Sequence, residues 1–225
     1  SFPTRRSSDL RVILTEGGSM TDIYVYNQLT KDNNGNIKVD QNGNLGITSS
    51  NTPVKVGNLD ADFNLGWTNH FTYKGIDLGV VLSARVGGLA YSATQGILDY
   101  YGVSETSATA RDNGGIPINN GKVNAQKYYQ TIGTGEGGYG RYYLYSATNV
   151  RLQELSLNYT LPKRWFKNVA NVTLGIVGRN LWMIYCKAPF DPELSASTSS
   201  NYYMNVDYFM QPSLRNFGFN VKVQF

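Results

Sequence analysis

His70 is the only histidine and Cys186 the only cysteine in 225 residues. A Ser-His-Asp centre or a histidine metal site would therefore rest wholly on His70, and no partner spacing supports one. Cys186 has no second cysteine for a disulfide or a thiolate metal site, and it reads as a structural thiol at a strand end. The run GTGEGG at 133–138 has the G-x-G-x-x-G spacing of dinucleotide loops, which cradle a cofactor only between a buried strand and a helix. GYGRYYLY follows it here, so the glycines read as loop flexibility. DNNGN at 32–36 opens like a Ca²⁺ loop, but Ile37 stands at the sixth position where an EF-hand needs glycine. Turns at Asn34-Gly35 and Asn42-Gly43 explain it better. No general acid, base or nucleophile constellation can be assembled from these residues, so no enzyme is expected, and no catalytic, cofactor-binding or metal-ligating residue.

Two sets of side chains are candidates for binding. Arg85, Arg151 and Arg179, with Asp62 and Asp77, fall on polar strand positions; they read as solvated lining or as substrate contacts. Tyr128, Tyr129, Tyr139 and Tyr142, with Tyr143, gather in one long connection. Aromatic faces of this kind stack on sugar rings, although packing within the loop explains them equally well. NAQKYYQTI at 124–132 predicts a short helix capped by Asn124. Net charge is +4, but the basic residues are scattered, so no nucleic-acid surface is expected.

The elements that must carry these residues are strands. No apolar run approaches the roughly 20 residues that a spanning helix needs. In DFNLGWTNHFTY, Phe63, Leu65, Trp67, Phe71 and Tyr73 share one face, while Asp62, Asn64, Thr68, His70 and Thr72 share the other. Lys74-Gly75 then turns tightly into IDLGVVLSARVGG, which alternates in the same way. A second hairpin runs from about 149 to 184 through the basic turn LPKRWFKN, with a β-bulge expected between Leu152 and Leu155. Ile23–Tyr26 is a weaker strand, and Val12–Leu14 the remnant of another. The last strand, FGFNVKVQF, places Phe217, Phe219, Val221, Val223 and Phe225 on a lipid-facing side. It should pair with the strand near Val172–Met183. Connections alternate between tight turns and long polar segments at about 30–59, 91–145 and 185–213, the asymmetry of periplasmic turns and extracellular loops. Aromatics such as Tyr73, Tyr159, Trp165, Trp182 and Tyr185 gather near strand ends, where interface girdles sit.

Four blocks carry a family resemblance: VGNLDADFNLGWTNHFTYKGIDLGVVLSARVGG, NVRLQELSLNYTLPKRW, GRNLWMIY with APFDPEL, and QPSLRNFGFNVKVQF. In this order the chain resembles the C-terminal part of a SusC/RagA-like TonB-dependent outer-membrane transporter of Bacteroidetes type. The resemblance implies an all-β fold, an antiparallel transmembrane β-barrel fragment: about six C-terminal strands of a barrel of about 22, with the plug absent. It implies import of oligosaccharides or peptides across the Gram-negative outer membrane. Its partners would be a SusD-like surface lipoprotein and the TonB complex, reached through the missing N-terminal part. Asp191, Pro192 and Glu193 match the family's pattern and read as loop architecture, with Ca²⁺ binding as the alternative. SFPTRRSSDL at 1–10 resembles a translated sequencing adaptor and is expected outside the fold, leaving 11–225 as barrel domain and the chain as a fragment. Other readings are a passive outer-membrane pore or adhesin barrel, and a soluble β-sandwich carbohydrate-binding module.

Overall fold

The computed structural model describes residues 9–134, 137–167, 169–194 and 205–224. Along the chain run β1 (Leu10–Val12), β2 (Asp22–Leu29), β3 (Ile47–Asn58), β4 (Phe63–Tyr73), β5 (Ile76–Val86) and β6 (Leu89–Ser92). Then come α1 (Ala93–Tyr101), α2 (Glu105–Asp112), β7 (Ile116–Ile118), β8 (Gly121–Val123), α3 (Ala125–Gly133) and β9 (Leu144–Ser146). The last elements are β10 (Asn149–Thr160), β11 (Asn171–Cys186), β12 (Val206–Asp207) and β13 (Asn216–Gln224). They form two compact units, the first drawn from stretches up to Asp60, Leu89–Tyr145 and Leu194–Met210, the second from Ala61–Gly88, Ser146–Glu193 and onward from Gln211.

The second unit is an antiparallel sheet in the order β13-β11-β10-β5-β4. Its strands of 9 to 16 residues meet the roughly 9–11 that a tilted membrane strand needs. Lys74 and Gly75 have φ of 46° and 85°, the paired positive values of a type I′ hairpin turn. A Cβ on Gly75 would lie 2.9 Å from the Thr160 carbonyl, so side chains are excluded there by contact as well as by φ. LPKRWFKN forms a 3₁₀ turn over Lys163–Phe166, closed by Lys167 at φ 51°. The expected bulge is present: Leu152 and Glu154 pair with the adjacent residues Leu82 and Val81, leaving Gln153 without a counterpart on β5. The closing strand pairs with β11 from Asn171 to Arg179, as expected.

The first unit holds the rest. β1, β2 and β3 form one antiparallel sheet. Ile23 and Val25 are buried in it, so the strand expected at Ile23–Tyr26 is not part of the five-stranded sheet. β3 lies within the segment read as a loop at 30–59. Its polar residues, ITSSNTPVKVGN, hide the strand pattern, and pairing with β2 creates it. Between them, Thr30, Lys38 and Gly46 close a ring of backbone bonds: Thr30 N–H donates to Gly46, Gly46 to Lys38 and Lys38 to Thr30. Two equal turns separate these residues. Asp32 Oδ1 accepts from the N–H groups of Asn34 and Asn36, and Asp40 Oδ1 from those of Asn42 and Asn44. DNNGN is thus a turn, as its glycine position implies.

The segment at 91–145 also holds three helices. Each starts at a side-chain cap: Ser92 accepts from Gln95 N–H, Ser104 from Ser107, and Asn124 from Gln126 and Lys127. Such caps satisfy donors that the first turn leaves open. The core of this unit packs Leu45, Ile118, Val123, Tyr129, Ile132 and Tyr143 together. Asp9 and Leu10, expected outside the fold, are built into it. The buried Asp9 carboxylate accepts from Asn27 and Gly140 N–H, and Leu10 pairs with Val25. Residues 1–8, Gly135 and Glu136 of the glycine loop, and Phe225 lie outside the described residues.

Candidate functional site

Residues paired across an antiparallel ladder project to the same side, so the registers sort the five-stranded sheet into two faces. One carries the row Phe71, Leu78, Leu157, Ile176 and Phe219, and beside it Tyr73, Ile76, Tyr159, Leu174 and Val221. This apolar face stands open: Phe217 is 79% exposed and Phe219 69%. A β-sandwich would bury such residues against a second sheet. The opposite face carries Thr72, Asp77, Asn158, Gly175 and Asn220, then Thr68, Val81, Glu154, Arg179 and Asn216. Gly175 belongs to that row because a Cβ would run into the side chains of Asn158 and Asn220.

The three arginines all sit on the polar face, in different states. Arg179 stays largely exposed and donates from Nε to Glu154 Oε2 at 2.8 Å. Arg85 pairs in the ladder with Asn64 and Asn149. Arg151 is 4% exposed and already engaged. Its Nη2 lies 2.7 Å from Asp191 Oδ1 and 3.2 Å from Glu193 Oε2, and its Nη1 donates to Asn180 Oδ1. Ser213 Oγ donates to Asp191 Oδ2 at 2.8 Å. Burial pushes the Asp191 carboxyl up, but bonds from Arg151, Ser213 and the Glu193 N–H outweigh it and hold the group below its usual range. Asp191 and Glu193 thus bind a guanidinium, which makes them the architecture of their loop. His70 Nδ1 stands 3.9 Å from Asp77 Oδ1, too far for a hydrogen bond. Among the described residues no group of His, Cys, Asp and Glu could hold a metal ion.

The tyrosines come together, chiefly with one another. Tyr128 packs edge-on against Tyr129 and Tyr142, and Tyr142 against Tyr143. Tyr129 is 4% and Tyr143 1% exposed. Burial pushes the Tyr129 phenol up to about 12 and raises those of Tyr128 and Tyr143 as well. Tyr129 and Tyr143 are core residues without a free face, whereas Tyr142 keeps an exposed edge. The helix at Asn124 was legible from its cap. The Glu154 partner of Arg179 was not, because the bulge shifts the strand's phase at that point.

No known family profile matches the chain. Over 201 residues, 86% of its length, it is 26% identical to the TonB-dependent receptor P3 of Formosa agariphila, spanning 19% of that protein. Its fold is similar to the RagAB peptide importer in the 'closed-closed' state, with TM-score 0.56 and 16% identity over 90% of this chain and 23% of that one. The 'open-open' state of that importer gives TM-score 0.54 and 16% identity over 91% and 23%. The chain resembles a SusC/RagA-like TonB-dependent receptor. Its fold is all-β, and its five-stranded antiparallel sheet is that of a transmembrane β-barrel segment. It spans about a fifth of the length of these relatives.

Proposed function

We propose that this chain is the C-terminal barrel segment of an energised outer-membrane importer for oligosaccharides or peptides, working with a SusD-like surface lipoprotein and the TonB complex. The observation that carries the reading is the five-stranded sheet, apolar and open on one face and polar on the other, within a chain similar to a TonB-dependent receptor over 86% of its length. Two-faced strands of this length suit lipid outside and a wet lumen inside. In this reading the apolar rows of the five-stranded sheet meet lipid, and its polar rows line the lumen. On the polar face Arg179 is the arginine open to cargo, while Arg151 holds the loop after β11. A passive pore would share the sheet but take up cargo without an energy source.

The test is uptake of fluorescent oligosaccharides and peptides by a Gram-negative host of Bacteroidetes type, with the full-length gene intact or deleted. Uptake should require the gene and collapse when the proton gradient is dissipated, and the protein should co-purify with a surface lipoprotein. Equal uptake by both strains would sink the proposal. Gene-dependent uptake that survives loss of the gradient would move it to the passive pore.

A further inference from the structure

Two turns of the five-stranded sheet, far apart in the sequence, meet at one of its ends. Thr160 N–H, at the end of β10, donates to the Gly75 carbonyl at 2.7 Å, which sets Lys74-Gly75 beside the turn that leads from β10 to β11. The Tyr159 ring reaches the same place: a Cβ on Gly75 would lie 3.7 Å from it. These turns bring together Lys74, Lys163, Arg164 and Lys167, all exposed. Neither 73–76 nor 161–172 contains an acidic residue, and among the described residues none of the four cations forms an ion pair. The chain's 20 Lys and Arg less these four equal its 16 Asp and Glu, so the cluster matches the entire net charge of +4. Lys74 and Lys167 stand at φ 46° and 51°, left-handed values that Asn or Gly adopts at less cost. Lysine at both positions points to a demand for charge rather than for turn geometry. Lys74 Nζ lies 5.1 Å from the centroid of the Tyr73 ring, which steadies the ammonium by cation–π attraction. Trp165 is 63% exposed among the cations of its own turn. The open apolar face begins where the cluster ends, with Tyr73, Ile76 and Tyr159 in one row beside both turns.

We propose that the two turns form a binding site for an anionic phospholipid, its headgroup phosphate on the four cations and its acyl chains on the apolar rows that begin at Ile76 and Tyr159. Clusters of Lys and Arg beside lipid-facing surface recognise such headgroups. Four unpaired cations call for an anion, and the apolar surface continuous with them calls for an anion that carries hydrocarbon. A free phosphate would use the first feature alone. Trp165, Tyr73 and Tyr159 complete the match, because Trp and Tyr rings settle at headgroup level with one side apolar and one side wet. Tight turns of such barrels face the periplasm, and the leaflet on that side is phospholipid. The proposal goes beyond import, and rests on the reading above only for the lipid-facing side of the sheet.

The full-length protein in detergent is equilibrated with equal amounts of phosphatidylglycerol and phosphatidylcholine of matched chains, and the retained lipid is counted by native mass spectrometry. The wild type should retain phosphatidylglycerol in preference, and added salt during equilibration should shrink that preference by screening. Lys74→Asn, which keeps a residue suited to the turn, should weaken it about fivefold, the share of one basic residue. Adding Lys163→Gln, Arg164→Gln and Lys167→Asn should abolish it. Lys187→Gln, just past the opposite end of β11, should leave it unchanged. The heat-modifiable band checks folding of each variant, and if the quadruple variant fails to fold, Lys74→Asn and the salt dependence decide. The site is overturned if the wild type retains both lipids equally, if the preference survives loss of the cations, if Lys187→Gln removes it as well, or if excess inorganic phosphate displaces the lipid. A phosphatidylglycerol preference that needs the cluster, in a protein whose deletion leaves uptake unchanged, would uphold the site and sink the import reading. Gene-dependent uptake without any lipid preference would do the reverse.

Discussion

Arg151 shows how a charge on the polar face serves architecture. Its guanidinium is buried with Asp191 at 2.7 Å, and removing one partner of such a pair leaves the other charge uncompensated. Arg151→Met should cost about 3 kcal/mol or more, read as a lowered urea midpoint of the full-length protein, while Arg179→Met at its exposed pair should change stability by less than about 1 kcal/mol. A second ion pair works in the first unit, where Lys55 Nζ sits 2.5 Å from the buried carboxylate of Asp22. The Lys55 hydrogen bond holds the Asp22 carboxyl below its ordinary 3.8, and the same bond raises Lys55 above 10.5. A depressed carboxyl contributes stability that is present above its unfolded value and lost as pH falls through its folded one. The Lys55 share is present below 10.5 and lost as pH rises through its raised value. Protection of the β2 and β3 amides, corrected for intrinsic exchange, should therefore fall below about pH 4 in the wild type and depend less on pH in Lys55→Met. Equal profiles would refute the pair's role.

At the scale of elements, the bulge in β10 makes an unusual prediction. Deleting one residue from a strand normally sends every later side chain to the wrong face. Gln153 has no partner on β5, and without it Leu152 and Leu155 would stand two positions apart, on the same face as now. Deletion of Gln153 should be tolerated, whereas deletion of Asn158 should abolish folding, as read by the heat-modifiable band of the full-length barrel. Two failures, or two successes, would contradict the assigned register. The hairpin of β4 and β5 was legible because alternation and the Lys74-Gly75 turn are local. β3 was not, because ITSSNTPVKVGN has too few apolar residues to alternate; its extended form comes from pairing with β2.

For the whole molecule, the open apolar face sets the solvent. Phe219 and Asn220 are neighbours in β13 whose ladder partners, Ile176 and Gly175, lie on opposite faces. Phe219→Arg should destabilise the lipid-inserted barrel by about 2–4 kcal/mol if it lies near the midplane, while Asn220→Arg on the polar face should be close to neutral. Urea titration of the full-length protein folded into vesicles measures both, and equal effects would mean that the sheet does not separate lipid from water. The sequence by itself determined the five sheet strands, their tight turns, the bulge and the two-faced character of the sheet, because a period of two and a turn's φ are properties of neighbouring residues. Only the tertiary structure decided that Ile23 and Val25 belong to a separate sheet, that Tyr129 and Tyr143 are core, that Asp191 and Glu193 hold Arg151, and that the Lys74 turn meets the turn of Lys163, Arg164 and Lys167. Those outcomes depend on which distant segments meet, and no local pattern records that.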